Sequence, residues 1–318
     1  MPTQIAATLG SRTAPALLAR GLTKRYGSVL AVDRLDLAVR PGEVYGFLGP
    51  NGAGKTTTMR MLVGLIRPTA GSARVAGRDA GDPRGLAHVG AMVETPALYP
   101  YLSGRDNLAV LAGHGHVPRS RIGEVLDQVG LTDRAGDRFA GYSLGMKQRL
   151  GVGAALLKDP SVLILDEPTN GLDPAGIADM RVMVRRLGDE GRAVLLSSHQ
   201  LGDVEQICDR VGVILHGRLV AEGTVDEIRG GAGLAVVATP DEMARARLTE
   251  LLGAGAVSSE DGVIRLRVDP ERAPEINRAL VAAGIDVHEL RRDERSLEEV
   301  FLAMSAGDRD EEERSHAA

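Results

Sequence analysis

The sequence contains few aromatic residues and almost no sulfur chemistry. It has no tryptophan, three phenylalanines and five tyrosines, and aromatic residues make up only 3% of its 318 positions. The hydrophobic cores must therefore consist of Leu, Val, Ala and Ile, which the apolar fraction of 43% can supply. The one cysteine, Cys208, excludes a disulfide within the chain and is typical of a reducing compartment. We expect Cys208 to be a buried packing residue.

Long apolar runs are also missing. No run reaches the roughly 18 residues that a membrane-spanning helix needs, and the N-terminus lacks the apolar core of a secretory signal. We therefore expect a soluble protein in which any membrane role requires a partner. The net charge of −5 gives no indication of nucleic-acid binding. A length of 318 residues predicts about two domains.

A glycine-rich segment, Gly49–Thr57, matches the pattern G-x-x-x-x-G-K-[ST]. It follows an apolar run at Glu43–Leu48 that predicts a strand, and it precedes apolar residues at helical spacing over Thr57–Ile66. Strand, loop and helix in this order form the phosphate-binding loop of nucleoside triphosphatases. We expect the phosphates to be bound by Gly49, Pro50, Asn51, Gly52, Ala53, Gly54, Lys55, Thr56 and Thr57.

The residue types of this loop suit an anion. Gly52 and Gly54 allow backbone angles at which successive N–H groups turn toward one point, and the helix that follows adds its positive end. Lys55 would reach the β- and γ-phosphates, and Thr56 would place its hydroxyl on Mg²⁺.

Two carboxylates follow a second apolar run. Val162–Leu165 is continuously apolar, which is typical of a strand buried on both faces of a parallel sheet, and Asp166 and Glu167 come directly after it. Ligands bind at the carboxyl ends of strands in open α/β folds. Asp166 would hold Mg²⁺, directly or through water, and Glu167 would act as the general base toward the attacking water.

A histidine follows another buried strand. Ala193–Ser197 is mostly apolar, and His199 comes shortly after it. A neutral imidazole at this position could bond the γ-phosphate and orient Glu167 and the water. A histidine after a strand is often only structural, but its place after the two carboxylates in the chain favours the catalytic interpretation.

The remaining pattern predicts an α/β fold followed by a small α+β module. Ala16–Val39 predicts two antiparallel strands, and helical patterns predominate between the loop after Val93 and the strand before Asp166. Gly230–Gly233 interrupts the pattern, and a strand-helix-strand-helix-strand series follows it. Ser296 and Glu299 then predict a capped last helix.

This combination of motifs resembles the ATP-binding subunits of ABC transporters, over about residues 16–225. The resemblance implies ATP and Mg²⁺ as cofactors and a P-loop NTPase core. Tyr26 stands where that family stacks an aromatic ring on adenine, although tyrosine also simply favours a strand. The segment Asn170–Asp173 resembles the family's D-loop, which crosses to a second subunit, so Asp173 is expected at the shared nucleotide site.

With this resemblance the chain divides into expected regions. We predict a flexible leader over residues 1–15, an ABC ATPase domain over 16–229 with an antiparallel β subdomain and a helical subdomain at about 95–158, an accessory α+β module over 230–305, and a disordered charged tail over 306–318.

The segment Tyr142–Met146 aligns with the family's signature sequence, Leu-Ser-Gly-Gly-Gln. Ser143 and Gly145 match, whereas Tyr142, Leu144 and Met146 depart from it. In the family this segment begins a helix that faces the γ-phosphate held by the opposite subunit. A serine hydroxyl, a glycine that allows close approach and a helix N-terminus keep that chemistry available, while the departures leave the contacts and the rate open.

A glutamate occupies a position where the family normally has glutamine. Glu94 follows the predicted strand Val89–Val93, and a carboxylate there can serve as an oxygen ligand to Mg²⁺ but cannot donate a hydrogen bond when ionised. Variation at a tolerant loop position is the alternative. Glu94-Thr95-Pro96, together with the altered signature, resembles the bacitracin-type and lantibiotic-immunity ATPases, and Ser296–Phe301 resembles the wider drug-export branch, which includes anthracycline exporters.

The resemblance also implies partners. In the family one subunit cannot bring its own phosphate loop and signature to one nucleotide, so two copies pair head-to-tail around two ATP molecules. Residues Leu98–Leu102 would contact a separate membrane permease, or would pack on the adjacent helix. We therefore predict the ATP-hydrolysing subunit of an exporter of a peptide antibiotic or amphiphilic drug, on the cytoplasmic face of the cell membrane and without a nucleic-acid partner.

Two other functions stay open at this stage. A non-transport member of the same superfamily would act on ribosomes or DNA, but such proteins usually carry two cassettes, coiled coils or basic arms. A regulatory module with the altered signature would bind ATP and barely hydrolyse it.

Overall fold

The computed structural model describes residues 14–229, 233–260, 262–293, 296–302 and 304. Most of the predicted leader, the glycine run at 230–232 and the predicted charged tail lie outside these residues. The chain divides into two compact units, an N-terminal unit up to Glu222 and a C-terminal unit from Gly223.

The N-terminal unit alternates strands and helices along the chain. Its strands are β1 (Leu17–Tyr26), β2 (Val29–Val39), β3 (Val44–Leu48), β4 (Ala70–Val75), β5 (Arg78–Asp79), β6 (Val89–Met92), β7 (Val162–Asp166), β8 (Ala193–Ser198), β9 (Arg210–Leu215) and β10 (Arg218–Thr224), the last of which contains the division point. Its helices are α1 (Lys55–Leu62), α2 (Pro83–Leu86), α3 (Gly104–His114), α4 (Ser120–Gln128), α5 (Leu144–Leu156), α6 (Pro174–Asp189) and α7 (Leu201–Ile207).

Two sheets form the frame of this unit. A four-stranded sheet has the order β2-β1-β4-β5 and is antiparallel, and the inward residues Leu35, Leu37 and Val39 alternate along β2 with more exposed ones, as their pattern predicts. A six-stranded sheet has the order β10-β9-β3-β8-β7-β6, in which β9, β3, β8, β7 and β6 run parallel. The α/β fold predicted from the apolar runs is confirmed.

The strands that carry the predicted site are the most deeply buried ones. Every residue of β3, β7 and β8 is buried, which is why each reads as an almost continuous apolar run. The main core joins these strands to α1 and to the antiparallel sheet, and its fully buried members include Leu22, Phe47, Met59, Ile164 and Leu195. As the composition predicts, this core is largely aliphatic.

Helix α1 begins earlier and ends earlier than its apolar pattern predicts. The predicted span was Thr57–Ile66, whereas the helix runs from Lys55 to Leu62. Gly64 adopts a φ of 76°, a left-handed conformation that a helix cannot continue through, so the chain turns away before Ile66.

Helices α3, α4 and α5 occupy the segment between β6 and β7, where the sequence pattern predicts helices. Ser103 caps α3, where its hydroxyl accepts a hydrogen bond from the Asp106 N–H at 3.0 Å. Helix α5 also approaches β6 closely, because a Cβ on Gly90 would lie 2.2 Å from the carbonyl oxygen of Ala155. This approach fixes the distance between α5 and the parallel sheet.

The C-terminal unit is a small α+β structure. Its elements are α8 (Val225–Arg229), β11 (Gly233–Thr239), α9 (Asp241–Leu252), β12 (Val257–Glu260), β13 (Val263–Leu266), α10 (Ala273–Ala282) and β14 (Asp286–Asp293). From β11 onward the order is β-α-β-β-α-β, and the antiparallel sheet has the order β12-β13-β11-β14, which is the split βαβ arrangement. The sequence prediction missed β12 because its residues, Val-Ser-Ser-Glu, are few and mostly polar.

The core of this unit lies between its sheet and its helices. Leu234, Val236 and Ile264 from the strands contact Leu248 and Leu280 from α9 and α10. The predicted capping box is also present, since the Ser296 N–H donates to the Glu299 carboxylate at 3.3 Å and the Glu299 N–H donates to the Ser296 hydroxyl oxygen at 3.2 Å. Among the described residues, none of the helices combines the length and apolar character required to cross a bilayer.

The close contact between α5 and β6 generates a testable prediction. Gly90→Ala should destabilise the protein by about 1–3 kcal/mol, because the added methyl group would collide with a backbone carbonyl rather than with a movable side chain. Gly113→Ala in α3 is the matched control, since no atom lies within 4 Å of its added Cβ, and it should be neutral or stabilise by about 0.5–1 kcal/mol. Chemical denaturation measures both, and equal stabilities would contradict the packing described.

Candidate functional site

Three segments predicted to be functional leave the same edge of the parallel sheet. Strand β3 leads into the phosphate loop, β7 ends at Asp166, and β8 ends one residue before His199. These strands are neighbours, with Leu48 paired to Ser198 and Asp166 paired to Ser197. Parallel strands place their carboxyl ends together, so the fold brings residues that are far apart in sequence to one place.

The phosphate loop has the backbone conformation that its glycines predict. Gly52 and Gly54 have φ values of 83° and 110°, and a Cβ on Gly54 would lie 2.6 Å from the carbonyl oxygen of Ala31. The first turn of α1 is closed by the Thr58 hydroxyl, which donates to the Gly54 carbonyl at 2.9 Å. The loop borders a cavity of about 180 Å³ lined by Ala31, Pro50, Asn51, Gly52, Gly54, Lys55, Thr56, Thr57 and Glu167.

Lys55 lies at the centre of this region and is almost completely buried. Its ammonium donates to the carbonyl oxygens of Gly49 at 2.7 Å and Pro50 at 3.3 Å. The same nitrogen lies 3.3 Å from Oε1 of Glu167, with only 6% of the lysine side chain exposed. A cation held at this depth beside a phosphate-binding loop is placed to receive an anionic group.

Asp166 connects β7 to α1 through Thr56. The Thr56 hydroxyl donates to Oδ2 of Asp166 at 2.8 Å, and the carboxylate itself is buried. A hydroxyl and a carboxylate are hard oxygen donors of the kind that Mg²⁺ prefers. The described residues contain no group of three or more His, Cys, Asp or Glu side chains that could hold a metal ion.

Glu167 and His199 form a second pair at the same edge. Nδ1 of His199 lies 2.7 Å from Oε2 of Glu167, and since an ionised carboxylate only accepts, Nδ1 carries the hydrogen. Glu167 adopts a φ of 50°, which is unusual for a residue with a side chain and costs roughly 1–3 kcal/mol. The strained backbone and the contacts with Lys55 and His199 fix where this carboxylate points.

Ser197, which sequence reasoning did not single out, joins the Asp166 carboxylate to the backbone of Glu167. Its hydroxyl donates to Oδ1 of Asp166 at 2.5 Å and accepts from the Glu167 N–H at 2.9 Å, and the residue is fully buried. The available signal was a polar residue at the end of an otherwise apolar strand, two positions before His199. Its partner could not be predicted, because the contact depends on the register between β7 and β8.

Ser143 begins helix α5, as the signature predicts. Its hydroxyl oxygen accepts a hydrogen bond from the Met146 N–H at 3.3 Å, which makes Ser143 the N-cap. The unmatched Tyr142 is a packing residue: its ring is buried, and its hydroxyl donates to the Arg134 carbonyl at 2.7 Å. Burial, assisted by the negative charge of Asp137, raises the pKa of Tyr142 and so keeps this hydrogen-bond donor protonated.

The signature segment contacts the predicted D-loop of the same chain. A Cβ on Gly171 would lie 2.8 Å from Cδ2 of Leu144, and a Cβ on Gly145 would lie 3.8 Å from Cδ2 of Leu172. Asp173 ends this loop as the N-cap of α6, where its carboxylate accepts from the Gly176 N–H at 3.1 Å.

Most of the predicted site residues therefore fall into two groups. The phosphate loop, Asp166, Glu167 and His199 are joined by hydrogen bonds and ion pairs. Within the described part of the chain, no hydrogen bond or ion pair connects Ser143, Gly145 or Asp173 to that first group.

Tyr26 and Glu94 belong to neither group. Tyr26 ends β1 and is 46% exposed, and the Lys24 ammonium lies 5.0 Å from the centre of its ring. Ala31, on the partner strand of the same hairpin, lines the phosphate-loop cavity. Glu94 has a φ of 66° and forms an ion pair with Arg60 of α1, so its carboxylate is bound beside the helix that follows the phosphate loop.

Comparison with known proteins identifies the family of this chain. The family model described as ABC transporter matches residues 32–170. The bacitracin transport ATP-binding protein BcrA of Bacillus licheniformis is 40% identical over 293 residues, which are 90% of this chain and 96% of that protein. The daunorubicin/doxorubicin resistance ATP-binding protein DrrA of Streptomyces peucetius is 37% identical over 312 residues, which are 94% of each chain.

Solved structures agree on the fold. The structure of an ATP-binding subunit of an ABC transporter is 30% identical, has a TM-score of 0.61 and covers 68% of this chain and 92% of its own. A dimeric ATP-binding cassette in a post-hydrolysis state, bound to ADP and phosphate, is 22% identical, has a TM-score of 0.59 and covers 65% of this chain and 98% of its own. At that identity the second likeness shows the fold alone.

The relatives that cover almost the whole chain, the matching family model and the shared fold agree with the motifs. This chain belongs to the ATP-binding proteins of the ABC transporter family.

Proposed function

We propose that this protein hydrolyses Mg²⁺-ATP as the energy-supplying subunit of an exporter, working as a pair of identical copies bound to a separate membrane permease. Family membership implies the binding and hydrolysis of ATP. The observation that carries the proposal is the cluster at the sheet edge, where Lys55, Asp166, Glu167 and His199 meet beside the phosphate loop.

The phosphate loop would bind the triphosphate. The N–H groups after Gly52 and Gly54 and the N-terminus of α1 favour an anion, and the Lys55 ammonium would move from the loop carbonyls to the β- and γ-phosphate oxygens. Thr56 and Asp166 would hold Mg²⁺, which supplies positive charge next to the same oxygens when bound.

Glu167 would then accept a proton from the attacking water. In the structure its carboxylate is paired with Lys55 through Oε1 and with His199 through Oε2. A triphosphate competes for the lysine, and its arrival would release Oε1 for the water. The pairing therefore suggests that the base becomes available only after the substrate is bound.

His199 holds Glu167 in place and would also contact the γ-phosphate. Because its Nδ1–H is directed to Glu167, a phosphate oxygen would be bonded through Nε2.

Ser143 would complete the site of a second copy. The signature group is not bonded to the phosphate-loop group within the described chain, yet Ser143 begins a helix whose positive end suits a phosphate. Two copies related by a two-fold axis would bring each signature to the other's nucleotide, with Gly145 and Asp173 nearby. Tyr26 would stack on the adenine through its exposed ring.

The segment around Glu94 would connect the site to the permease. We propose that the Glu94 carboxylate moves from Arg60 toward Mg²⁺ when nucleotide binds, and that the exposed rings of Tyr99 and Tyr101 contact the permease at the cytoplasmic face of the membrane. The two rings lie 5.8 Å apart and present one aromatic surface.

Export of a peptide antibiotic or amphiphilic drug is the transport function that the relatives favour. One is named for bacitracin transport and another for daunorubicin/doxorubicin resistance, and both cover nearly the whole chain. The alternative is a regulatory module that binds ATP and barely hydrolyses it, and the observation that favours it is the bulky, half-exposed Leu144 in the signature.

Replacing the proposed general base should separate binding from turnover. In Glu167→Gln the amide keeps the size of the side chain but cannot accept the proton from water, so ATP binding should persist while turnover falls about 100-fold or more. A phosphate-release assay and a nucleotide titration measure the two quantities. Turnover near that of the parent protein would exclude Glu167 as the base.

The matched comparison is Lys55→Ala, which removes the buried ammonium and leaves the carboxylates in place. This variant should lose ATP affinity as well as turnover, because a charge-assisted contact to phosphate disappears. Unchanged affinity would remove Lys55 from the phosphate site.

Export can be tested in cells that express the protein together with a permease encoded beside its gene. We expect the minimum inhibitory concentration of bacitracin or daunorubicin to rise with the parent protein and not with Glu167→Gln. Equal resistance with both proteins would show that ATP hydrolysis by this chain does not drive export of those compounds.

A further inference from the structure

Ser197 joins the carboxylate of Asp166 to the backbone of Glu167. Its hydroxyl oxygen lies 2.5 Å from Oδ1 of Asp166 and 2.9 Å from the backbone nitrogen of Glu167. The residue is completely buried in β8, so these protein groups are the partners available to its hydroxyl.

The direction of both hydrogen bonds follows from the chemistry of the groups. The Glu167 N–H can only donate, and an ionised Asp166 carboxylate can only accept. The serine oxygen therefore accepts from Glu167, and its single hydrogen is directed to Asp166. The Ser197 hydroxyl therefore has a single orientation, in which it links the side chain of Asp166 to the backbone of Glu167.

Each link constrains a different catalytic group. The Ser197 hydrogen bond uses Oδ1 of Asp166 and leaves Oδ2 directed to the Thr56 hydroxyl at 2.8 Å. The bond to the Glu167 N–H holds the backbone at a residue with a φ of 50°, from which the carboxylate reaches Lys55 and His199. One buried hydroxyl thus holds the side chain of Asp166 and the backbone from which the Glu167 carboxylate extends.

We propose that Ser197 is a positioning residue that orients Asp166 toward the Mg²⁺ of bound ATP and Glu167 toward the attacking water. This inference rests on the proposed hydrolysis of Mg²⁺-ATP. It assigns to Ser197 no contact with the substrate. Through Asp166, Ser197 would strengthen the binding of nucleotide in the presence of Mg²⁺. Through Glu167, it would support turnover.

The test compares Ser197→Ala with Ser197→Thr in nucleotide titrations. A non-hydrolysable ATP analogue is titrated into each protein with Mg²⁺ and again with EDTA, and the ratio of the two affinities measures the contribution of the metal. Ser197→Ala leaves the buried Oδ1 of Asp166 without its hydrogen-bond donor. The ratio of the two affinities should therefore fall about tenfold, while the affinity in EDTA stays near that of the parent. Ser197→Thr restores the hydroxyl and should recover most of the ratio.

Ser198→Ala is the matched control on the same strand. Its hydroxyl is also buried, but it accepts from the Gln200 N–H at 2.9 Å and donates to the Gln200 carbonyl at 3.3 Å, without contacting either carboxylate. Its Mg²⁺ ratio should equal that of the parent.

Melting temperatures of all variants check the folded state. In Ser197→Cys, whose thiol is a weaker hydrogen-bond donor, the Mg²⁺ ratio should lie between that of Ser197→Ala and that of the parent.

The outcomes separate this inference from the function on which it rests. An unchanged Mg²⁺ ratio in Ser197→Ala, or a folded Ser197→Thr that behaves like alanine, would overturn the positioning role. A parent protein that binds the analogue but never releases phosphate from ATP would defeat the proposed function, while the titrations would still decide the role of Ser197.

Discussion

The parallel pairing of β3, β8 and β7 is the constraint on which the rest of the structure depends. It places the phosphate loop, His199 and the two carboxylates at one edge, although more than one hundred residues of sequence separate the first from the last. Hydrogen bonds across that edge then set the orientations: Asp166 accepts from Thr56 and Ser197, and Glu167 contacts Lys55 and His199. Bonds to charged groups in such settings are each worth roughly 1.5–3 kcal/mol.

Ser143, Gly145 and Asp173 are not joined to this edge by a hydrogen bond or ion pair within the described part of the chain. The signature helix begins at Ser143 in the helical region between β6 and β7, and Leu144 in its first turn lies beside Gly171 of the predicted D-loop. Leu172 of that loop lies beside Gly145, so the signature and the predicted D-loop are neighbours within the chain. In the proposed two-fold pair both segments would contact the nucleotide of the other copy. A movement of the signature would then be transmitted to the D-loop.

Sequence predicted the parts of this site that depend on local pattern. The phosphate loop, Asp166 and Glu167 follow apolar strands directly, and such runs specify buried parallel strands. The role of Ser197 depends on the register between two strands, and the Arg60–Glu94 ion pair depends on where a loop passes α1. Strand β12 was missed because its short polar sequence resembles a loop. These features arise from tertiary contacts, which a single sequence does not encode locally.

The most direct test of the account is a crystal structure of Glu167→Gln with Mg²⁺ and ATP. We predict two copies enclosing two nucleotides, with each γ-phosphate between Lys55 of one copy and Ser143 of the other, and with the metal on Thr56 and Asp166. A nucleotide bound away from Lys55, or a site completed within one copy without Ser143 of the second, would contradict it.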